Sequence, residues 1–418
     1  MLIEFRVTNF RCMRDEQVLS MVASSDATHQ DSHCTASGIT NPAQIVRSAV
    51  LYGPNASGKT KLINALSRMR YLVENSATQI GAGKELPGID PFRFDPAQVN
   101  HLTEFEVTFI ENNIRYQYGF ALTKLQIIEE WLIAYAPKAQ RWFERCYNAK
   151  KNEYEWHFGT NFKIGKQQQQ LLTTSTRSNA LFLSSAINLN TKQLEPIFFW
   201  FVNKLKIGMP FNPETFATPN MITDPIKKAI IMQFIQAADP GIDDIKIEMR
   251  KVRRVGIKFK QGESTDFEKV GEEEVEIPKV TLYRKQIAFD FNDESHGTQL
   301  LFTYAQPLLD VLENGCVLVM DELENGLHAK LIRFLVNLIH NPHINTKKAQ
   351  LIFSTHNTSL LDGDLFRRDQ VWFVEKDADN ASHVYPLTDF SPRKDEALEK
   401  GYLAGRYGAL PFIGELKF

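Results

Sequence analysis

Residues 53–60 read Gly-Pro-Asn-Ala-Ser-Gly-Lys-Thr, and no other segment constrains the fold of this chain as strongly. A mostly apolar run of strand length, Val46–Tyr52, precedes the segment, and apolar residues at helical spacing follow it from Leu62 to Val73. A strand, a glycine-rich turn and the start of a helix aim backbone N–H groups and the positive end of the helix dipole at one point. Phosphate groups bind at such points. The segment therefore predicts a P-loop that cradles a nucleotide triphosphate.

Each part of the loop has a chemical role in this prediction. Gly53 and Gly58 let the backbone curl so that successive N–H groups point inward. The Lys59 ammonium would reach the β- and γ-phosphates, and the Thr60 hydroxyl would ligate Mg²⁺. We therefore expect ATP and Mg²⁺ as ligands. The predicted nucleotide contacts of the loop are Gly53, Asn55, Ala56, Ser57, Gly58, Lys59 and Thr60.

The composition narrows the class of protein. With 418 residues the chain can form two or three domains, and 43% hydrophobic with 23% charged residues is typical of a globular protein. A net charge of −2 argues against a surface built throughout for nucleic acid. The four cysteines include no Cys-x-x-Cys pair, which argues against structural zinc and a disulfide framework. No apolar segment approaches the ~20 residues of a membrane span, and the N-terminus has no signal-peptide core, so we expect a soluble, cytoplasmic protein.

A pair of adjacent carboxylates supplies the acidic half of a nucleotide site. Cys316–Met320 is an apolar run typical of a buried strand, and it ends at Asp321 and Glu322. A P-loop site needs an acidic group at a strand end to hold Mg²⁺, and Asp321 suits that role. Glu322 would act as the general base toward the attacking water, a contribution of typically about 10²–10⁴-fold in rate.

The N-terminal and middle parts of the sequence predict alternating blocks of strands and helices. Residues 1–23 predict two strands joined by a turn, and the polar residues 24–41 predict a surface loop. Residues 103–158 are rich in β-branched and aromatic side chains with turn signals between them, which predicts an antiparallel meander. Residues 166–238 predict helices, including one aromatic helix over residues 182–205.

The charges are segregated where residues 243–290 predict strands again. Lys246 to Lys260 is a basic run, and Glu263 to Glu276 is an acidic one. Two facing strands of opposite charge would pair on a solvated face, and this is the interpretation we favour. A nucleic-acid or partner surface is the alternative. After residue 289, apolar strands alternate with helices, so we expect the chain to return to an α/β arrangement.

Three further segments resemble motifs of the ABC class of ATPases. Glu294–Gln299 resembles the signature motif, in which a serine hydroxyl, a glycine amide and a helix N-terminus grip the γ-phosphate of the other subunit's ATP. Glu324–His328 resembles the D-loop of that class. Ser354–Asn357 matches the position of the switch histidine, so the resemblance implies that His356 hydrogen-bonds the γ-phosphate.

The chain resembles the ABC-type ATPases related to RecF and SMC heads, and more closely the bacterial stand-alone ATPases of the RloA family, with AriA and PtuA as relatives. The resemblance covers both ends of the chain, while the middle matches only in layout. The segments that carry it are Phe5–Arg11, the P-loop, Pro91–Phe94, Glu294–Thr298, Asp321–His328, Ser354–Asn357, Trp372–Lys376 and Tyr402–Pro411.

The resemblance implies an α/β fold, namely an ABC-type P-loop ATPase head with an antiparallel β subdomain and an inserted, mostly helical lid. The implied divisions are residues 1–100 with the P-loop, 101–160 with the meander, 161–285 as the lid or partner-binding insertion, and 286–418 with the remaining motifs. ATP would lie between two heads of a homodimer or higher oligomer.

The resemblance also implies residue roles and partners. Ser295 and Gly297 would act on the ATP of the other subunit, and Arg11 would contact a nucleotide phosphate. Such ATPases are commonly encoded beside an effector, a nuclease or RloB-like protein, in operons for defence against phage. The chain departs from the family pattern at His296, where many signatures have glycine, and at Ala329, where the family usually has proline. Gln98 is the candidate for the Q-loop glutamine.

Several functions compete at this stage. The first is an ATP hydrolase that controls a partner effector, and the second is a nucleotide-locked scaffold with little turnover; Glu322 favours the first because a scaffold needs no base. A RecF-like role in DNA repair is a third, although the sequence has no extended basic face and leaves nucleic-acid binding open. A fused nuclease is disfavoured because few residues follow His356. We interpret Asp362, Asp364 and Asp369 as solvated loop residues.

Overall fold

The computed structural model describes residues 1–208, 220–259, 267–393 and 396–411, and it has the α/β structure that was predicted. Its strands are β1 Leu2–Thr8, β2 Gln17–Ser20, β3 Cys34–Ala36, β4 Gln44–Val46, β5 Ser48–Tyr52, β6 Thr103–Glu111, β7 Ile114–Leu122, β8 Ile127–Tyr135, β9 Ala139–Asn148, β10 Glu153–Phe158, β11 Leu205–Ile207, β12 Asp244–Phe259, β13 Phe267–Arg284, β14 Ile287–Asp290, β15 Val317–Met320, β16 Gln350–Ser354, β17 Val371–Lys376 and β18 Ser382–Pro386. Its α-helices are α1 Gln30–His33, α2 Lys59–Asn75, α3 Lys166–Ser175, α4 Phe182–Asn188, α5 Glu195–Phe199, α6 Asn220–Thr223, α7 Pro225–Ala238, α8 His296–Asn314, α9 Ala329–His340 and α10 Leu398–Leu403. No helix among these is long and apolar enough to cross a membrane.

A six-stranded sheet carries the P-loop. Its order is β11-β15-β16-β5-β17-β18, and its neighbours are parallel except for the antiparallel pair β17–β18. Every residue of β5 and β16 is buried, as expected for strands of a parallel sheet covered on both faces. The carboxyl ends of β5, β15, β16 and β17 meet at one edge, the edge at which α/β sheets bind ligands.

The predicted antiparallel meander is confirmed, with one strand more than expected. Strands β10-β9-β8-β7-β6-β1-β2 form a seven-stranded sheet in that order, and every neighbouring pair is antiparallel. Asn112 and Asn113 both have positive φ and form the two-residue turn between β6 and β7. The unpredicted strand β9 contains several charged residues, yet its Arg145 is fully buried in an ion pair with Glu130 at 3.0 Å.

The polar segment 24–41 is not the surface loop that was predicted. It contains α1 and β3, and β3 pairs with β4. His33, Cys34 and Ser37 are buried. Polar groups can be buried here because each finds a partner: His33 Nδ1 lies 2.9 Å from Gln370 Oε1, and the Ser37 hydroxyl donates to the Ile39 carbonyl at 3.0 Å.

The single aromatic helix predicted over residues 182–205 is also wrong. Helix α4 ends at Asn188, and Asn190 has the left-handed φ of +58°, which a helix cannot include. The chain resumes as α5, a π-helical turn over Trp200–Lys204, and β11. Trp200 is buried and stacks on Phe109 of the antiparallel sheet, with ring centroids 4.1 Å apart. Packing against that sheet, not helical periodicity, accounts for the spacing of these aromatic residues.

The chain divides into two compact units. One comprises Met1–Gly208, Val311–Asn325 and Ile332–Phe418, and the other comprises Met209–Asp310 and Gly326–Leu331. In the second unit β12 and β13 form a long antiparallel pair whose register places Lys251 opposite Glu276 and Arg253 opposite Glu274. The predicted pairing of oppositely charged strands is therefore confirmed over the described residues; Lys260 of the basic run and the acidic residues before 267 lie outside them.

Candidate nucleotide-binding site

One cavity of about 360 Å³ lies at the carboxyl edge of the six-stranded sheet, in the first unit. It brings together most of the residues predicted for the nucleotide site. Its lining residues are Arg11, Cys12, Asn55, Ala56, Ser57, Gly58, Lys59, Thr60, Lys61, Glu322, His356 and Lys376. Gly53 begins the loop after β5, and Asp321 directly precedes Glu322; neither of these two lines the cavity.

The two glycines of the P-loop occupy positions that no other residue fits. Gly58 has a φ of +121°, and a Cβ there would lie 2.5 Å from the Ser382 hydroxyl oxygen. A Cβ at Gly53 would lie 2.2 Å from the carbonyl oxygen of Val374. The Ser382 hydroxyl also donates to the Ser57 carbonyl at 2.5 Å, so β18 supports the loop from behind. The close approach of β17 and β18 therefore requires the two glycines.

Lys59 is held inside the curl of the loop. Its Nζ donates to the carbonyl oxygens of Gly53 at 2.7 Å and Pro54 at 3.0 Å. Burial lowers the pKa of Lys59, while the carboxylates of Asp321, Glu324 and Glu322 act in the opposite direction. The ammonium thus has a defined position, and phosphate oxygens can replace the two carbonyls as its acceptors.

The acidic pair is fixed by a serine of the neighbouring strand. The buried Ser354 hydroxyl donates to Asp321 Oδ1 at 2.5 Å and accepts from the Glu322 N–H at 2.8 Å. Glu322 has a left-handed φ of +50°, which is uncommon for a residue with a side chain. Asn325 Nδ2 donates to Glu322 Oε2 at 3.0 Å, and His356 Nε2 lies 4.0 Å from Glu322 Oε1. Strained backbone held by hydrogen bonds is a frequent property of functional sites.

The segment that carries His356 is fixed through its backbone. The Thr355 N–H donates to the Leu51 carbonyl at 3.1 Å, and the His356 N–H donates to the Glu324 carboxylate. Glu324 Oε2 is buried and has no hydrogen-bond partner among the described residues. The His356 side chain remains 36% exposed and lines the cavity. Its imidazole can therefore reach a ligand without a change in the backbone.

Arg11 reaches the cavity because of an irregular turn built around Asn9. Asn9 and Arg11 both have positive φ, and Asn9 Oδ1 accepts from the Phe92 N–H at 2.9 Å. Within the described part of the chain, Arg11 Nε is buried without a hydrogen-bond partner, with Asp90 Oδ2 3.8 Å away, and the hydroxyl of Ser57 on the loop also has no partner. Two buried polar groups without hydrogen-bond partners at a cavity wall suit a polar ligand that can form hydrogen bonds with both of them.

The signature segment lies in the second unit. Ser295 directly precedes α8, and its hydroxyl accepts from the Thr298 N–H at 3.2 Å, so it caps the helix. Gly326 of the D-loop segment has a φ of +78°, and a Cβ there would lie 2.6 Å from the His296 ring. The roles of Ser295 and Gly297 toward nucleotide stay predictions.

Some residues of the site were missed or misread from sequence. Lys376 lines the cavity, although a lysine at the end of a strand gives no signal for this position. Gln98 is not among the lining residues; its carbonyl accepts from Asn9 Nδ2 at 2.8 Å. Asp369 is a buried ion-pair partner of Arg367 at 2.7 Å and not a solvated loop residue.

The other two aspartates of that loop differ from each other. Asp362 forms an ion pair with Arg333 at 2.5 Å, so it too has a structural contact that the sequence did not indicate. Asp364 is exposed, as predicted, and its N–H donates to Asp362 Oδ1 at 3.0 Å. These carboxylates shape the loop after His356.

The sequence matches one protein-family model, and the structure is similar to a solved protein structure. The model of the family described as "AAA domain, putative AbiEii toxin, Type IV TA system" matches residues 48–362, which is more than half of the chain. No curated protein matches the sequence. Among solved structures, the chain is similar to the SmcHead bound to the C-winged helix domain of ScpA, with 10% identity over 92% of this chain and 97% of that chain and a TM-score of 0.44. The residues matched by the family model include the P-loop, Asp321, Glu322 and His356.

Proposed function

The chain belongs to this family of AAA domains, and we propose that it is an ABC-type ATPase that binds ATP with Mg²⁺ at the P-loop cavity and hydrolyses it. Hydrolysis would control a partner protein. The observation that carries the proposal is that the P-loop, Glu322 and His356 line one cavity although they are far apart in sequence. A phosphate cradle, a carboxylate base and a histidine are the parts that ATP hydrolysis needs.

The residues of the cavity fit a triphosphate with Mg²⁺. Four cationic side chains line it, namely Arg11, Lys59, Lys61 and Lys376. Such a cluster attracts a polyanion and gives charge-assisted hydrogen bonds to phosphate oxygens. Thr60 of the cavity and Asp321, which directly precedes the lining residue Glu322, would hold Mg²⁺, and the ion supplies charge neutralisation at the phosphates when bound. ATP is therefore the ligand that this set of donors suits.

Glu322 is the proposed general base. Asn325 binds its Oε2, so the carboxylate has one oriented oxygen, and Oε1 faces the His356 ring at 4.0 Å. Glu322 would accept the proton of the attacking water, and His356 would donate a hydrogen bond to the γ-phosphate. Lys59 would exchange its two carbonyl partners for phosphate oxygens and hold the leaving group's charge.

A second copy of the chain would complete the site. The resemblance to ABC-type ATPases assigns Ser295 and Gly297 to the ATP of the other subunit. The capped N-terminus of the 19-residue helix α8 supports this assignment, because the helix dipole favours an anion there. We therefore propose a homodimer that forms when ATP is bound between two copies.

The partner would be an effector of defence against phage. This part of the proposal is supported by the resemblance to the RloA family and by the family description, which names a toxin of a toxin–antitoxin system. A RecF-like role is less well supported because exposed basic residues of β12 face acidic residues of β13. Co-purification with the product of a neighbouring gene, a nuclease or RloB-like protein, with nuclease activity assayed with and without ATP, tests this part.

Steady-state hydrolysis tests the core of the proposal. We expect Mg²⁺-dependent release of phosphate that Glu322→Gln lowers by about 10²–10⁴-fold while ATP binding persists. Lys59→Ala should weaken ATP binding itself. Glu155→Gln, an exposed carboxylate of β10, is the matched control and should keep the wild-type rate.

Two results would decide against hydrolysis as the function. ATP binding without a rate that Glu322→Gln lowers would support the nucleotide-locked scaffold. Failure of the wild-type protein to bind ATP, measured by calorimetry, would remove the proposal altogether.

A further inference from the structure

Residues 396–411, called the C-terminal tail from here on, form a defined structure that the P-loop chemistry does not use. Tyr402, Tyr407 and Ala409 are 4%, 2% and 2% exposed. The Tyr402 hydroxyl donates to the Ala409 carbonyl at 2.8 Å and so folds the tail back on itself. A Cβ at Gly401 would lie 2.6 Å from the Tyr407 hydroxyl oxygen, so any larger residue there would displace the Tyr407 ring.

The first contact of the tail is with the segment that carries His356. Glu399 Oε1 accepts a hydrogen bond from the Thr358 hydroxyl at 2.9 Å. Thr358 lies two residues after His356, in the short turn that ends the histidine segment. Glu399 therefore restrains the exit of the segment whose entry is held by the bond from Thr355 to β5.

The second contact runs through an aromatic pair. The Tyr402 ring packs on the Tyr52 ring with centroids 5.8 Å apart and stacks on Phe373 at 5.4 Å. Tyr52 is the last residue of the P-loop strand, and its hydroxyl donates to the Asn357 carbonyl at 3.3 Å. Asn357 directly follows His356. The tail thus supports, through Tyr52, the peptide next to the histidine.

The third contact reaches the opposite wall of the cavity. The Ala409 N–H donates to Glu375 Oε2 at 2.6 Å, and Glu375 directly precedes Lys376, which lines the cavity. The Tyr385 hydroxyl donates to the Tyr407 carbonyl at 3.0 Å, which ties the tail to β18 beside β17. The tail is therefore bonded to the sequence neighbours of both His356 and Lys376.

We propose that the C-terminal tail is a clasp that positions His356 and Lys376 for the nucleotide. The inference rests on the proposed ATPase function and assigns a role to residues outside its motifs. A tail that only covered apolar surface would need its tyrosines but none of the hydrogen bonds to Thr358 and Glu375. Glu399 and Ala409 do not line the cavity, so they act through the residues they hold.

Removing the Glu399 acceptor tests the histidine side of the clasp. Glu399→Ala should lower kcat about fivefold, the effect of one lost hydrogen bond on the transition state. Binding of ADP should stay within about twofold, because His356 is proposed to contact the γ-phosphate that ADP lacks. Glu399→Gln keeps an acceptor oxygen for Thr358 and should restore the rate. Glu155→Ala, at an exposed ion pair far along the chain, is the matched control.

A double-mutant cycle separates positioning from general loss of structure. Thr358→Val removes the same hydrogen bond from the other side, so Glu399→Ala with Thr358→Val should be no slower than either single variant. A smaller folded fraction would instead lower the stoichiometry of ADP binding and the rate together. Additive losses in the double variant would overturn the role assigned to this bond.

The hydrogen bond from Tyr402 to Ala409 within the tail provides a test of whether the tail positions Lys376. Tyr402→Phe releases the Ala409 carbonyl and should raise the KM for ATP about fivefold through Lys376. Tyr154→Phe is its control, since Tyr154 also donates to a backbone carbonyl, that of Ile127 at 2.6 Å, in the antiparallel sheet. If the wild-type protein hydrolyses ATP and neither Glu399→Ala nor Tyr402→Phe changes kcat or KM, the proposal of a clasp is overturned while the ATPase proposal stands. A wild-type protein that binds no ATP would remove both proposals.

Discussion

Replacing Ser354 with alanine should disturb the acidic pair, Asp321 and Glu322. Its hydroxyl is buried and makes two hydrogen bonds, one to the Asp321 carboxylate at 2.5 Å and one from the Glu322 N–H at 2.8 Å. Alanine fills nearly the same space, so the change removes the hydrogen bonds and leaves the packing of β16 intact. The effect therefore measures what holds the two carboxylates in place.

The magnitude follows from the two bonds. A hydrogen bond to a charged group contributes about 1.5–3 kcal/mol and a neutral one about 0.5–1.5 kcal/mol. Asp321 is half-buried, so water replaces part of its lost partner and the lower value applies. The free energy of unfolding should thus fall by about 2–3 kcal/mol. Because the left-handed backbone of Glu322 costs about 1–2 kcal/mol, losing the Ser354 bond also favours its return to an ordinary conformation.

Urea unfolding and steady-state ATP hydrolysis measure the two consequences. We expect the loss of stability just given and a fall in kcat of tenfold or more, since about 1.4 kcal/mol of transition-state stabilisation is one factor of ten. Ser185→Ala is the control, because Ser185 of α4 is also buried and donates to a neutral group, the carbonyl of Leu181, which directly precedes α4. The reasoning is refuted if Ser354→Ala keeps wild-type stability and kcat, or if Ser185→Ala lowers kcat as much.

Two further predictions concern stability in acid and the shape of the loop. Burial lowers the pKa of His33 from 6.5 to about 4, so the unfolded chain binds more protons between these values and stability is lost as the pH falls through that window, by about 3 kcal/mol. Urea titrations from pH 7 to pH 4 should show this loss in the wild-type protein and a smaller one in His33→Asn; equal slopes would contradict it. Gly58→Ala should abolish ATP binding in calorimetry, because its Cβ would collide with the Ser382 hydroxyl, whereas Gly165→Ala, with open space around it, should bind as the wild type does.

The nucleotide loop could be predicted from sequence because its chemistry is local. Eight consecutive residues contain the glycines, the lysine and the hydroxyl, and the neighbouring apolar patterns indicate the strand and the helix. The meander was predictable for the same reason, since alternation and the turn at Asn112 and Asn113 act over short distances. Strand β9 could not be predicted in this way, because the burial of its Arg145 depends on an ion pair with Glu130 on the neighbouring strand β8.

Lys376 shows most clearly what local patterns cannot supply. A lysine at the end of a strand is usually solvated, and although Trp372–Lys376 carries part of the resemblance to ABC-type ATPases, its pattern indicates no role for this lysine. Its place in the cavity follows from the sheet order, in which β17 is the parallel neighbour of β5. The same order places β16, and hence His356, on the other side of the P-loop strand. A sheet with β17 at a distant edge would contain identical motifs and leave Lys376 in solvent, so the cationic wall of the site is a property of topology.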